Sequence, residues 1–152
     1  MQSNVYTEAA LGVPGAKVVP NQSVYTALNY IAASGGVDAG KFAFLNASGQ
    51  VTNTATSNTF LGFVQRDAYY PLGSAVTSGG TLHIEAGDSP TVAIKGQYYA
   101  AITTSCAAGD TLYSTASGTL TTTSSGGTAT GWSVVQGTTV SSGGTIIIQN
   151  WS

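Results

Sequence analysis

The stretch Ala39-Gly-Lys-Phe-Ala-Phe-Leu-Asn-Ala-Ser-Gly-Gln-Val-Thr-Asn-Thr54 returns as Ala108-Gly-Asp-Thr-Leu-Tyr-Ser-Thr-Ala-Ser-Gly-Thr-Leu-Thr-Thr-Thr123. Both obey A-G-x-x-x-aromatic-x-x-A-S-G-x-apolar-T-x-T, with residue 108 against residue 39, an offset of 69. In each, Ala-Ser-Gly separates two short apolar runs. That is a hairpin signature, with Gly supplying the positive φ of the loop. The match continues downstream, where Gly62-Phe63 meets Gly131-Trp132. A second block aligns Val76-Thr-Ser-Gly-Gly-Thr-Leu-His-Ile-Glu85 with Val140-Ser-Ser-Gly-Gly-Thr-Ile-Ile-Ile-Gln149 at an offset of 64, five residues shorter. Residues 39–85 and 108–149 therefore read as two related β units, each too small to be stable alone. They are expected to share one core, with Phe44 matching Tyr113 and Phe63 matching Trp132.

Outward from the repeat, strand signals dominate. Residues 41–45, 59–65, 81–85, 91–95, 131–136 and 145–149 are short, β-branched or aromatic, and bounded by Gly, Ser, Asn or Pro. The segment Ser23–Ala33 could be helical by length, but its Val, Tyr and Thr content favours strand. Many short strands with Gly-rich turns predict an all-β sandwich or barrel. Gly12, Pro14, Gly15 and Pro20 punctuate the start too closely for a regular element. Residues 1–20 read as an extended arm and residues 21–152 as a single β domain. The arm carries Val5, Tyr6, Leu11, Val13, Val18 and Val19, more apolar side chains than a solvated tail needs, so it is expected to lie across an adjacent subunit.

Composition narrows the function. Of 152 residues, 42% are hydrophobic but only 7% charged, with a formal net charge of −2. So little charge favours association or a life packed against partners. Lys17, Lys41, Arg66 and Lys95 are too few to track a phosphate backbone, which argues against nucleic acid. The single cysteine, Cys106, reads as a small buried residue, and no intrachain disulfide can form. No apolar run is long enough to span a membrane as a helix. Met1-Gln-Ser-Asn-Val has no basic or apolar leader character, so the chain is expected to be made and used without secretion.

Catalytic patterns are missing from the sequence. His83 is the one histidine and stands in an apolar strand pattern, with no nucleophile elbow around any serine. One His and one Cys do not make a zinc site, and the six carboxylates follow no calcium-loop spacing. Glu85 and Asp88 could flank a glycosidic bond only if brought together, and their strand-end and turn positions predict solvated carboxylates. No cofactor, metal or catalytic residue is assigned. What remains is surface: Tyr69 and Tyr70 in a Pro-containing loop, Tyr98-Tyr99, and Trp151 suit a protein interface, or stacking platforms for a sugar in an adhesive module of a virion or cell-surface appendage.

The order Ala39–Thr54, Gly62-Phe-Val-Gln65, Thr91-Val-Ala-Ile-Lys-Gly96, Ala108–Thr123 and Gly131–Gln136 resembles the structural cement, or head decoration, proteins of tailed bacteriophages. The resemblance spans residues 5–149. It implies a jelly-roll-like or barrel-like β fold and oligomers on the outer capsid surface, where the low charge predicts a dimer or trimer. It further implies contact with the major capsid protein that steadies neighbouring capsomers, and no enzymatic activity. It brings no catalytic residues.

Overall fold

A computed structural model describes residues 12–18, 22–67, 81–137 and 144–151. Every regular element in them is a strand. In chain order these are β1 (Val24–Tyr25), β2 (Val37–Asp38), β3 (Phe42–Leu45), β4 (Val51–Thr52), β5 (Thr59–Val64), β6 (His83–Ile84), β7 (Val92–Ile102), β8 (Thr111–Ser114), β9 (Leu120–Thr121), β10 (Thr128–Gln136) and β11 (Gly144–Asn150).

The central element is β7. Its first half pairs with β5 (Phe63↔Ala93) and with β1 (Tyr25↔Ala93). Its second half pairs with β11 from Gly96↔Asn150 to Ile102↔Gly144. From there the ladder passes to β10, β8 and β9, and returns to β7 through the parallel bridge Ile102↔Leu120. The result is a closed ring of five strands, with β5, β3 and β4 extending from the shared strand. The sequence expectation ended this strand at Lys95, because Gly96 follows. Gly96 instead has φ 140° and carries the strand onward, an arrangement open to glycine and strained for other residues.

The two hairpins fold alike. In the first, Phe44↔Thr52 and Leu45↔Val51 pair, and in the second Tyr113↔Thr121 and Ser114↔Leu120. Each register is the other shifted by 69. The next strand agrees as well: Phe44↔Phe60 and Leu45↔Thr59 match Tyr113↔Ala129 and Ser114↔Thr128. The turns close with equivalent bonds, Asn46 N–H to Gln50 O at 2.9 Å and Thr115 N–H to Thr119 O at 2.9 Å. The two tip glycines have nearly equal left-handed φ, 74° at Gly49 and 79° at Gly118. The later block differs: β6 pairs only with β2, whereas β11 joins β10 to β7. β6 is two residues long and the chain turns at Glu85–Asp88, whereas β11 runs for seven residues.

Two apolar clusters fill the interior. The larger holds Phe42, Phe44, Phe63, Tyr98, Leu112, Leu120, Trp132, Val134, Ile146 and Ile148, so both units contribute to it. The smaller lies on the other face of β3 and β5 and holds Val37, Ala43, Val51, Val64, Leu82, Ile84 and Val92. Trp132 is 1% exposed and stands 5.7 Å from Phe63, 6.0 Å from Tyr98 and 6.5 Å from Phe42, measured between ring centroids. Cys106 is buried, in keeping with its reading as a small core residue.

The N-terminal segment requires a correction. Residues 12–18 turn at Pro14–Gly15, where Ala16 N–H donates to Val13 O at 3.0 Å, and they lie on their own chain. Gly15 N–H donates to Tyr99 O at 2.8 Å, Tyr99 N–H to Ala16 O at 2.9 Å, and Val18 N–H to Gln97 O at 3.0 Å. Arg66 N–H adds a bond to Gly15 O at 2.8 Å. A Cβ on Gly12 would stand 2.4 Å from the Tyr99 ring, so the chain can pass over that ring only because residue 12 has no side chain. The unpaired side of β7 offers backbone groups that the segment satisfies locally. Of the arm expected over residues 1–20, residues 1–11, 19 and 20 lie outside the described residues. Ser23–Ala33 is not helical: only Val24 and Tyr25 form a strand, and the remainder runs irregularly to a bridge between Ala32 and Val51.

Candidate functional site

The sequence candidates for chemistry do not converge. Glu85 and Asp88 are exposed and sit at two corners of one turn, closed by Asp88 N–H to Glu85 O at 3.1 Å. No group of three or more metal-ligating side chains occurs among the described residues. His83 is occupied instead by a small polar cluster. Its Nδ1 stands 2.7 Å from Asp38 Oδ1, and Lys41 Nζ donates to Asp38 Oδ2 at 2.8 Å. Asp38 N–H in turn donates to Asn53 Oδ1 at 2.7 Å. Burial raises the Asp38 carboxyl, but the hydrogen bonds and charges of Lys41 and His83 outweigh it and hold the pKa below its ordinary value. The cluster ties the β2–β6 pair to the first hairpin.

The aromatic candidates divide. Tyr98 is fully buried, with its hydroxyl 2.8 Å from Ser23 Oγ and 3.1 Å from Gln65 Oε1, and burial pushes its pKa well up. It belongs to the core. Tyr99 is partly covered by Gly12. Trp151 is 45% exposed, its indole N–H held by Gln149 Oε1 at 3.1 Å. Val13 is exposed and Val18 half-buried. Val5, Tyr6, Leu11, Val19, Tyr69 and Tyr70 lie outside the described residues.

Sequence reasoning missed Val24, Leu28 and Ile31. All three are exposed, Leu28 by 62%, and all come from the stretch expected to be one strand. A strand would have buried alternate members. Val24 is the exposed member of the two-residue β1, and the irregular chain after Tyr25 leaves Leu28 and Ile31 outside. The described surface thus combines few charges with several large apolar side chains, the chemistry of a protein that is covered in use.

Comparisons with known proteins agree with that surface. The family model described as structural cement protein (E217 gp24/Pam3 gp6) matches residues 1–150. A chain from the solved structure "The capsid of Myoviridae Phage XM1" shares the fold with a TM-score of 0.61 at 19% identity, over 98% of this chain and 96% of that one. No curated protein matches. The all-β body, its covered-surface chemistry and the match over nearly its whole length place the chain in the structural cement protein family of bacteriophages, as a cement or decoration component of the capsid.

Proposed function

We infer that this protein binds the outer surface of a phage head, contacts the major capsid protein and steadies the junctions between capsomers. It does so as dimers or trimers, without catalysis, cofactor, nucleic acid or membrane. The observation that carries this reading is the exposed apolar set Val13, Val24, Leu28, Ile31 and Trp151 on a charge-poor body. Burying one such side chain contributes about 1.5–3 kcal/mol, so a few of them suffice to hold a subunit that is also multiply attached. Residues 1–11, with Val5, Tyr6 and Leu11, add a segment that can extend beyond the body, and Tyr69, Tyr70, Val18 and Val19 are further contact candidates.

The test is re-decoration of heads stripped of this protein. Leu28→Asp and Trp151→Asp should each bind at least about tenfold more weakly, the equivalent of ~1.4 kcal/mol, with unchanged circular dichroism. If both variants saturate heads like the parent, those side chains are not in the capsid contact.

A further inference from the structure

The two hairpins share a fold but not a situation. The tip of the second, Ala116-Ser117-Gly118, is docked against the first unit. Gly118 O accepts from Phe42 N–H at 2.8 Å, and Ala116 O accepts from Ala55 N–H at 2.9 Å. The approach is close: a Cβ on Gly118 would stand 2.7 Å from both Phe42 O and Asn53 O. The tip is therefore recognised through its backbone and its missing side chain. The seat is formed by Phe42, Asn53 and Ala55.

A shift of 69 residues turns that contact into two unmatched halves. The first hairpin tip, Ala47-Ser48-Gly49, repeats the same three residues and the same turn, and it is exposed. No atom of the described residues beyond its chain neighbours stands within 4 Å of where a Gly49 Cβ would be. The counterpart of the seat is Thr111, Thr122 and Ser124. Together with Asp110 and Tyr113 these residues line an open recess of about 300 Å³. Lys41 and Phe44 are the corresponding neighbours in the filled seat. Thr111 and Ser124 are exposed where Phe42 is buried and Ala55 half-buried. Among the described residues one tip fills one seat, and a tip and a seat of the same design remain open.

We propose that copies of this chain join head to tail, the Ala47–Gly49 tip of one copy entering the recess at Thr111, Thr122 and Ser124 of the next. The contact repeats between molecules what the two units make within one. It rests on the self-association reading above and names the surface for it. Because the seat accepts backbone carbonyls, its side chains can differ between the filled and free forms. The free seat is the more polar, as suits a face that meets water before it meets a partner. The joint is heterologous, donor on one copy and acceptor on the other, so it closes into a ring or grows until the capsid lattice ends it.

Disulfide trapping tests this. Ala55 N–H bonds to Ala116 O across the filled contact, so their counterparts across the joint are Ser124 and Ala47. In a Cys106→Ala background, Ala55→Cys with Ala116→Cys is the control and should close within one chain. An Ala47→Cys chain mixed with a Ser124→Cys chain should give a covalent one-to-one dimer, in solution or on decorated heads, whereas neither chain alone should. Ala47→Arg or Ser124→Arg should weaken self-association at least about tenfold at unchanged melting temperature. If the control closes but the mixture does not, and the arginine variants still associate, the copies meet through another surface and this proposal is wrong while self-association stands. A covalent dimer of Ala47→Cys alone would point to a symmetric contact and also overturn it. Copies that neither associate in solution nor touch on heads would overturn both readings.

Discussion

Trp132 offers a sharp test of the packing, because two effects in one side chain oppose each other. Its ring is buried among Phe42 and Phe63 of the first unit and Tyr98 of β7. Its indole N–H meets no acceptor among the described residues. Trp132→Ala removes the ring and leaves a cavity that four strands cannot readily close, at a cost of about 3–5 kcal/mol. For a domain of this length that is a fall of ~6–20 °C in melting temperature at about 2–4 °C per kcal/mol. Trp132→Phe keeps most of the ring. It loses roughly 1–2 kcal/mol of burial but releases a buried unpaired donor that costs about 1–3 kcal/mol. The two terms nearly cancel, so the variant should lie within about 1 kcal/mol of the parent. Urea unfolding followed by far-ultraviolet circular dichroism measures both, since fluorescence would be left with Trp151 alone. A Trp132→Phe cost above about 3 kcal/mol would refute the reasoning, because it would mean that the N–H holds a strong hydrogen bond.

Two further outcomes follow from the first strand-like segment and from the polar cluster. Removing residues 2–11 should leave thermal unfolding nearly unchanged. Removing residues 2–18 strips the bonds from Gly15, Ala16 and Val18 to β7 and uncovers Tyr99, and should lower stability by about 2–4 kcal/mol at a net ~0.5–1.5 kcal/mol per bond. Equal melting of the two truncations would show that residues 12–18 contribute nothing to the body. The lowered Asp38 pKa means that the folded state holds the ionised form more tightly than the unfolded state does. That contribution is present above the unfolded value, about 3.9, and is lost as pH falls through the lower folded value. Asp38→Asn should therefore be less stable than the parent at pH 7 and approach it in acid, as read from urea midpoints across that range. A constant difference at all pH values would remove the cluster from the account.

The sequence revealed most where local chemistry leaves no choice. The Ala-Ser-Gly tips need a left-handed glycine, and the flanking alternation sets which faces are buried, so hairpin, register and repeat could be read together. Glycine at residue 96 was misleading because the same residue type that ends a strand also lets one bend, and only the neighbours of β7 decide between the two. The 23–33 stretch was opaque for a related reason. Its apolar residues follow no period, and whether they are core or surface depends on β7 passing beside Val24 and Tyr25 alone. Of the surface candidates, Trp151 and Val13 are exposed, whereas Tyr98 could not be told from a contact residue until its hydroxyl was seen bonded inside the core. The unequal surroundings of two equal hairpins were invisible in the sequence, since nothing in Ala-Ser-Gly says which tip is occupied.

The strand shared by both parts of the body has a kinetic side. β7 must gather partners from residues 15–18, 24–25, 63–64, 120 and 144–150, so almost none of its pairing is local in the chain. Such topologies close large loops before any contact stabilises them, and they fold slowly. The reverse step is slow when the contacts that form late must all be broken together. Each half of β7 is held by a different set of strands, so full release of the strand requires both sets to part. A particle that must persist outside its host between infections gains from that slow unfolding as much as from equilibrium stability.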